Sequence, residues 1–126
     1  MNKRVLVVED DPGSRRFLKR AFESMGMDYT DSVTTEDALS KCAEVNQDLV
    51  LLDYNILNGE IGWKIARILR DNPDVYGKPR IIAISGTVDF ESVANIEFSR
   101  QYFESFLPKP FDLATLKSLV TELIGS

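Results

Sequence analysis

The sequence predicts an α/β fold, a doubly wound parallel sheet of five strands covered by five helices. Short β-branched runs alternate with segments of helical period, and the alternation repeats without a low-complexity break. Two of the runs, Leu49-Val50-Leu51-Leu52 and Ile81-Ile82-Ala83-Ile84, are apolar at every position, as strands buried on both faces must be. The length of 126 residues, 44% of them hydrophobic, suits one domain with its own core, taken here as residues 1–126. Strict alternation of strand and helix implies right-handed crossovers that place helices on both faces of the sheet.

Each element has its own signal. Val5 to Val8 reads as the first strand. Pro12 sits where a first helical turn tolerates proline, and Phe17, Leu18, Ala21, Phe22 and Met25 then fall on one face before a stop at Gly26. A short, more polar second strand follows near Met27 to Thr30. Thr34 or Thr35 caps a second helix bearing Ala38, Leu39, Cys42 and Val45, which leads into the third strand at Leu49 to Leu52. Ile61, Ile65, Ile68 and Leu69 mark a third helix that ends before Asn72-Pro73. After the fourth strand at Ile81 to Ile84 comes a fourth helix, and then a fifth strand at Phe103 to Leu107. Leu113, Leu116, Val120 and Leu123 form the apolar face of a closing helix with Asp112 as its N-cap.

Composition removes several function classes. A net charge of −5 with scattered basic residues gives no stripe for direct nucleic-acid binding. The absence of histidine excludes serine-histidine and cysteine-histidine catalysis, histidine-ligated zinc and a phosphohistidine within the chain. No apolar run approaches the roughly 20 residues needed to cross a bilayer, and the start is too short in apolar residues for a signal peptide. The expected location is therefore the cytoplasm, with no membrane partner. The single cysteine, Cys42, forms no internal disulfide and reads as helix packing.

In sheets of this kind ligands bind beyond the carboxyl ends of the strands. The residues there are Glu9, Asp10 and Asp11 after the first strand, Asp53 after the third, Ser85 after the fourth and Lys109 past the fifth. An acid after a strand is often only a turn former or a helix cap. Asp53, however, follows directly on an apolar run, where an unpaired charge is costly, so a nearby cation is the simplest explanation. Clustered oxygen donors without histidine or cysteine suit magnesium.

V-V-E-D-D-P at 7–12, L-L-D-Y-N at 51–55, I-A-I-S-G at 82–86 and F-L-P-K-P-F at 106–111 resemble, in order and spacing, the receiver domain of two-component response regulators. The likeness runs from about Arg4 to Leu123 and is similar to the single-domain chemotaxis regulator type. It implies a flavodoxin-like sheet of strand order 2-1-3-4-5 and a signalling switch rather than an enzyme, although such a domain assists its own phosphoryl transfer and dephosphorylation. It implies that Asp53 accepts a phosphoryl group from a sensor histidine kinase. Magnesium would be held by Asp10, Asp53 and the backbone carbonyl of Asn55, with Glu9 completing the acidic pair. Lys109 and Ser85 would contact phosphoryl oxygens, and the Lys109-Pro110 bond is commonly cis in the family. Phe106 takes the aromatic switch position, where phenylalanine favours an inward, apolar setting. The output would be a protein or domain docking on the surface of the fourth helix, fifth strand and fifth helix. Aspartate is already ionised at neutral pH and needs no general base to act as nucleophile. Asp11 lies outside the acidic pair and reads as solvent-facing or as part of the helix entry.

Three departures from the family pattern stand out. Leu57 occupies a position usually held by proline, the segment Asn58 to Gly62 is one residue longer than the common form, and Ser99 to Tyr102 lacks the usual glycine-alanine pair. Two rival readings are a magnesium-dependent phosphohydrolase and an inert receiver-like module. Asn55 opposes the first, because such enzymes want an acid two residues after the nucleophile. The intact set Asp10, Asp53, Ser85 and Lys109 opposes the second. A nucleotide-binding fold is opposed by the lack of a glycine-rich loop after the first strand.

Overall fold

The computed structural model describes residues 2–53, 60–85 and 102–125. In chain order the elements are β1 (Arg4–Val8), α1 (Pro12–Ser24), β2 (Asp28–Ser32), α2 (Thr35–Glu44), β3 (Leu49–Asp53), α3 (Glu60–Asp71), α4 (Pro73–Tyr76), β4 (Arg80–Ser85), β5 (Ser105–Pro108) and α5 (Leu113–Ile124). The strands form one sheet in the order β2-β1-β3-β4-β5, every pair parallel. This is the predicted doubly wound, flavodoxin-like arrangement. The helix predicted between the fourth and fifth strands falls on residues outside the described set.

Alternate residues of the central strands feed two cores. Leu6, Val8, Val50, Leu52, Ile81 and Ala83 pack with Ala38 and Cys42 of α2 and with Ile65, Ala66 and Leu69 of α3. Val5, Val7, Leu49, Leu51, Ile82 and Ile84 face the other way, onto Leu18 and Phe22 of α1 and Leu116 and Val120 of α5. Because side chains alternate along a strand, burial on both faces requires the unbroken apolar runs seen in β3 and β4.

Local chemistry sets the helix ends. Asp11 caps α1 by accepting from the Ser14 amide at 2.7 Å, with Pro12 at the first helical position. The helix closes at Met25, and Gly26 follows at φ 77°, a left-handed setting that favours glycine. Thr34 caps α2 through the Asp37 amide at 3.1 Å, and Asp112 caps α5 through the Thr115 amide at 2.7 Å. Cys42 is buried, and burial alone pushes its thiol up to about 11.

Several boundaries differ from the sequence reading. β2 begins one residue later than predicted and extends to Ser32. The Phe17 side chain lies outside the core, edge-on to Phe111 with ring centroids 6.0 Å apart. Val45 is exposed because α2 ends at Glu44 and the chain turns extended there. A single helical turn, α4, follows Asn72-Pro73. β5 begins at Ser105 rather than Phe103. Phe103 is buried, but Glu104 takes over the pairing: its amide donates to the Ile81 carbonyl at 2.8 Å and its carboxylate accepts from the Ile81 amide at 2.5 Å.

Candidate phosphoacceptor site

The carboxyl ends of β1, β3, β4 and β5 meet at one edge of the sheet, next to the reversal of strand order between β1 and β3. β1 delivers Glu9 and Asp10, and β3 ends on Asp53. Carboxylate oxygens of Glu9, Asp10 and Asp53 all lie within 4.8 Å of one another. Lys109 arrives just after β5, following Pro108 and preceding a cis bond to Pro110.

Burial divides the acids. Glu9 is fully buried and Asp53 nearly so, whereas Asp10 is exposed. The Lys109 ammonium donates to Glu9 Oε2 at 2.7 Å and to Asp53 Oδ2 at 3.4 Å. Glu9 Oε1 accepts from the Asp11 amide at 3.1 Å. Burial pushes the Glu9 carboxyl up to about 7, opposed by the Lys109 ammonium. Burial disfavours the charge on Lys109, but the hydrogen bond to Glu9 and the fields of Asp53 and Glu9 outweigh it and raise its pKa. Asp11 is the cap of α1, and the hydrogen bonds from Ser14 hold its carboxyl below the usual range.

The donor set fits a hard divalent cation: three carboxylates from two strands converge on one point, and the Lys109 ammonium pairs with two of them. Asn55 lies outside the described residues. Ser85 ends β4 in register with Pro108, and its side chain is outside the described set. Phe106 is half-buried in β5, its ring centroid 5.5 Å from that of Phe103 and packed against the α2–α3 core. The fold thus gathers Glu9, Asp10, Asp53 and Lys109 and places Phe106 two strand positions away from Pro108.

Sequence reasoning did not anticipate the direct pairing of Lys109 with Glu9 or the part played by Arg15. The Arg15 guanidinium donates to the Glu9 carbonyl at 2.9 Å. The available signal was an arginine four residues after Asp11, one turn into the helix that opens from the acidic run.

Comparison with known proteins supplies the family and supports the fold. The family model for the response regulator receiver domain matches residues 5–121. The KDP operon transcriptional regulatory protein KdpE of Escherichia coli is 30% identical over 90% of this chain and 48% of its own length. The sensor histidine kinase AtsR of Burkholderia thailandensis is 29% identical over 94% of this chain and 19% of its own. The chain therefore spans about half of the first relative and about a fifth of the second. Among solved structures, the receiver domain of a sensor histidine kinase from Pseudomonas aeruginosa, determined with a magnesium ion coordinated in its active site cleft, superposes with a TM-score of 0.75 at 24% identity, covering 100% of both chains. Family match, sheet order and the acidic edge agree, and the chain belongs to the response regulator receiver domains of two-component signalling.

Proposed function

We propose that this domain is a phosphorylation-activated switch in which Asp53 accepts a phosphoryl group from the phosphohistidine of a sensor histidine kinase. The observation that carries the reading is the meeting of Glu9, Asp10 and Asp53 oxygens within 4.8 Å, with the Lys109 ammonium 3.4 Å from Asp53. An Asp53 carboxylate oxygen would attack phosphorus, forming an oxygen–phosphorus bond as the phosphorus–nitrogen bond to the kinase imidazole breaks. The imidazole leaves with the electron pair. Water later attacks the aspartyl phosphate, restoring the carboxylate and releasing inorganic phosphate.

What this transfer needs is relief from charge repulsion. The Lys109 ammonium supplies part of it. Asp10 and Asp53, with the Asn55 backbone carbonyl, would hold magnesium, and Glu9 would stand behind them; the bound ion supplies charge neutralisation to the phosphoryl oxygens. Ser85 would donate its hydroxyl to one phosphoryl oxygen and Lys109 its ammonium to another. The added charge of about −1.5 to −2 would draw Ser85 and Lys109 toward Asp53 and bias the packing around Phe106. The readout surface is then the helix expected between β4 and β5, together with β5 and α5, offered to an output protein or domain.

We read residues 1–126 as one receiver domain, cytoplasmic and regulatory rather than enzymatic. Among the described residues no helix is long and apolar enough to cross a membrane.

The test is labelling by acetyl phosphate with magnesium, followed by intact mass. Wild type should gain one phosphoryl group and Asp53→Asn none. Equal labelling of the mutant would move the acceptor elsewhere, and no labelling of either would make the domain an inert binding module.

A further inference from the structure

We propose that Arg15 is a positioning residue that aims the Asp10 carboxylate at the cation; the inference rests on the reading of the acidic edge given above. Asp10 is exposed, and among the described residues nothing hydrogen-bonds its carboxylate. Its direction is therefore set by the backbone on either side. Both flanking carbonyls are held by Arg15: the guanidinium Nη1 donates to the Glu9 carbonyl at 2.9 Å, and the Arg15 amide donates to the Asp11 carbonyl at 3.0 Å.

The amide contact is the first turn of α1 and survives any substitution other than proline. The guanidinium contact is specific to arginine. It satisfies a carbonyl that lies just beyond the end of the β1–β2 ladder, where the Glu9 amide still donates to the Ser32 carbonyl at 3.1 Å. The guanidinium is itself steadied from β2: Asp31 Oδ2 lies 3.9 Å from Nε, and the Tyr29 hydroxyl lies 3.0 Å from the same carboxylate oxygen and 3.2 Å from the Arg15 carbonyl. The one phenolic proton serves these two acceptors in turn. Tyr29 in turn stacks on Phe22 in the α1 core, with centroids 6.5 Å apart. A chain of contacts thus runs from the core through Tyr29, Asp31 and Arg15 to the turn that carries Asp10. Groups that orient a metal ligand without touching the metal typically change its affinity by 10- to 100-fold.

Positioning and simple charge make opposite predictions. Deleting a cation near a divalent site lowers repulsion and tightens binding; loosening the Asp10 turn weakens it. Arg16, the exposed neighbour, serves as the charge control. Magnesium titration of the intact chain, by calorimetry at fixed ionic strength, should show Arg15→Ala weakened about 10-fold. Arg16→Ala should bind as tightly as wild type or slightly more so. If Arg15→Ala does not fold, Arg15→Gln, which makes the same charge change, carries the test with the same expected direction. Magnesium binding in the Arg15 variant as tight as in wild type, or an equal loss in Arg16→Ala, overturns the inference. Absence of magnesium binding in wild type overturns the reading of the acidic edge instead.

Discussion

Removing the Arg70 side chain should destabilise the protein by about 3 kcal/mol, because one guanidinium closes the lead-in to β5. Arg70 Nε donates to the Tyr102 carbonyl at 3.2 Å, Nη1 to the Pro79 carbonyl at 2.9 Å, and Nη2 pairs with Glu104 Oε1. The two side chains are only 24% and 17% exposed, so water replaces these contacts poorly. Arg70→Ala gives up three guanidinium hydrogen bonds, each discounted for the partial exposure of the pair to roughly 1 kcal/mol net, and leaves the Glu104 carboxylate with the Ile81 amide. A chain of 126 residues has an unfolding entropy of about 0.26 kcal/mol per kelvin, so the thermal midpoint should fall by about 10 °C. Arg67 supplies the contrast: its pair with Asp71 spans 3.6 Å with side chains 56% and 60% exposed, and Arg67→Ala should cost under about 0.5 kcal/mol. Thermal unfolding of both variants, with Glu104→Gln to close a double-mutant cycle, provides the measurement. Equal midpoints for Arg70→Ala and Arg67→Ala, or strict additivity in the cycle, would refute the reasoning. Amide exchange should also quicken across Glu104 to Leu107 in Arg70→Ala, because the clamp lies two residues before Phe106.

Two further outcomes follow from the described geometry. The Cys42 thiol is held protonated in the fold up to about 11, against 9.0 ordinarily, so the unfolded chain loses this proton first and stability falls as pH rises from 9 toward 11. Urea melts should therefore show the cost of Cys42→Ala shrinking by up to about 3 kcal/mol across that window, and a cost independent of pH would contradict the burial of this thiol. Asp10→Asn should weaken magnesium binding while Asp11→Asn leaves it nearly unchanged, since asparagine caps a helix as well as aspartate does; equal losses in a calorimetric titration would show that the acids are wrongly assigned.

Much of the fold was legible because the chemistry that dictates it is local. Leu49 to Leu52 and Ile81 to Ile84 must be apolar on both faces to lie between two helical layers, and that requirement is written as an unbroken run. Asp112 was legible as a cap because its side chain satisfies an amide only three residues on. The start of β5 was not, since Phe103 has the apolar character of a strand residue while pairing is decided by Glu104 and by Arg70, 34 residues earlier. Phe17 was misplaced because periodicity alone cannot distinguish the margin of a helix's buried face from its centre. At the site, the convergence of acids followed from strand-end logic, but the burial of Glu9 did not. That burial depends on an ammonium supplied 100 residues away.

The pairing of Lys109 with Glu9 gives the crowded acids separate roles. Like charges held together at a low-dielectric edge would repel, yet Glu9 is fully buried there and both of its oxygens are engaged, by the ammonium and by the Asp11 amide. Glu9 thereby becomes the fixed element that orients Lys109. In the proposed reading Asp10, exposed and flanked by anchored carbonyls, is the acid aimed at the cation. Asp53 ends a strand that is buried along its whole length. Lys109 spans two of these roles, touching Glu9 at 2.7 Å and Asp53 at 3.4 Å. In the proposed reading, a phosphoryl group on Asp53 competes with Glu9 for that ammonium. Lys109 stands three residues after Phe106, with only Leu107 and Pro108 between them. Leu107 is buried in the α1–α5 core and paired with Ile84, so in the same reading a pull at Lys109 would pass to the packing of β5. In that reading, a lysine shared between a buried acid and Asp53 would link charge at Asp53 to the setting of Phe106 through covalent backbone.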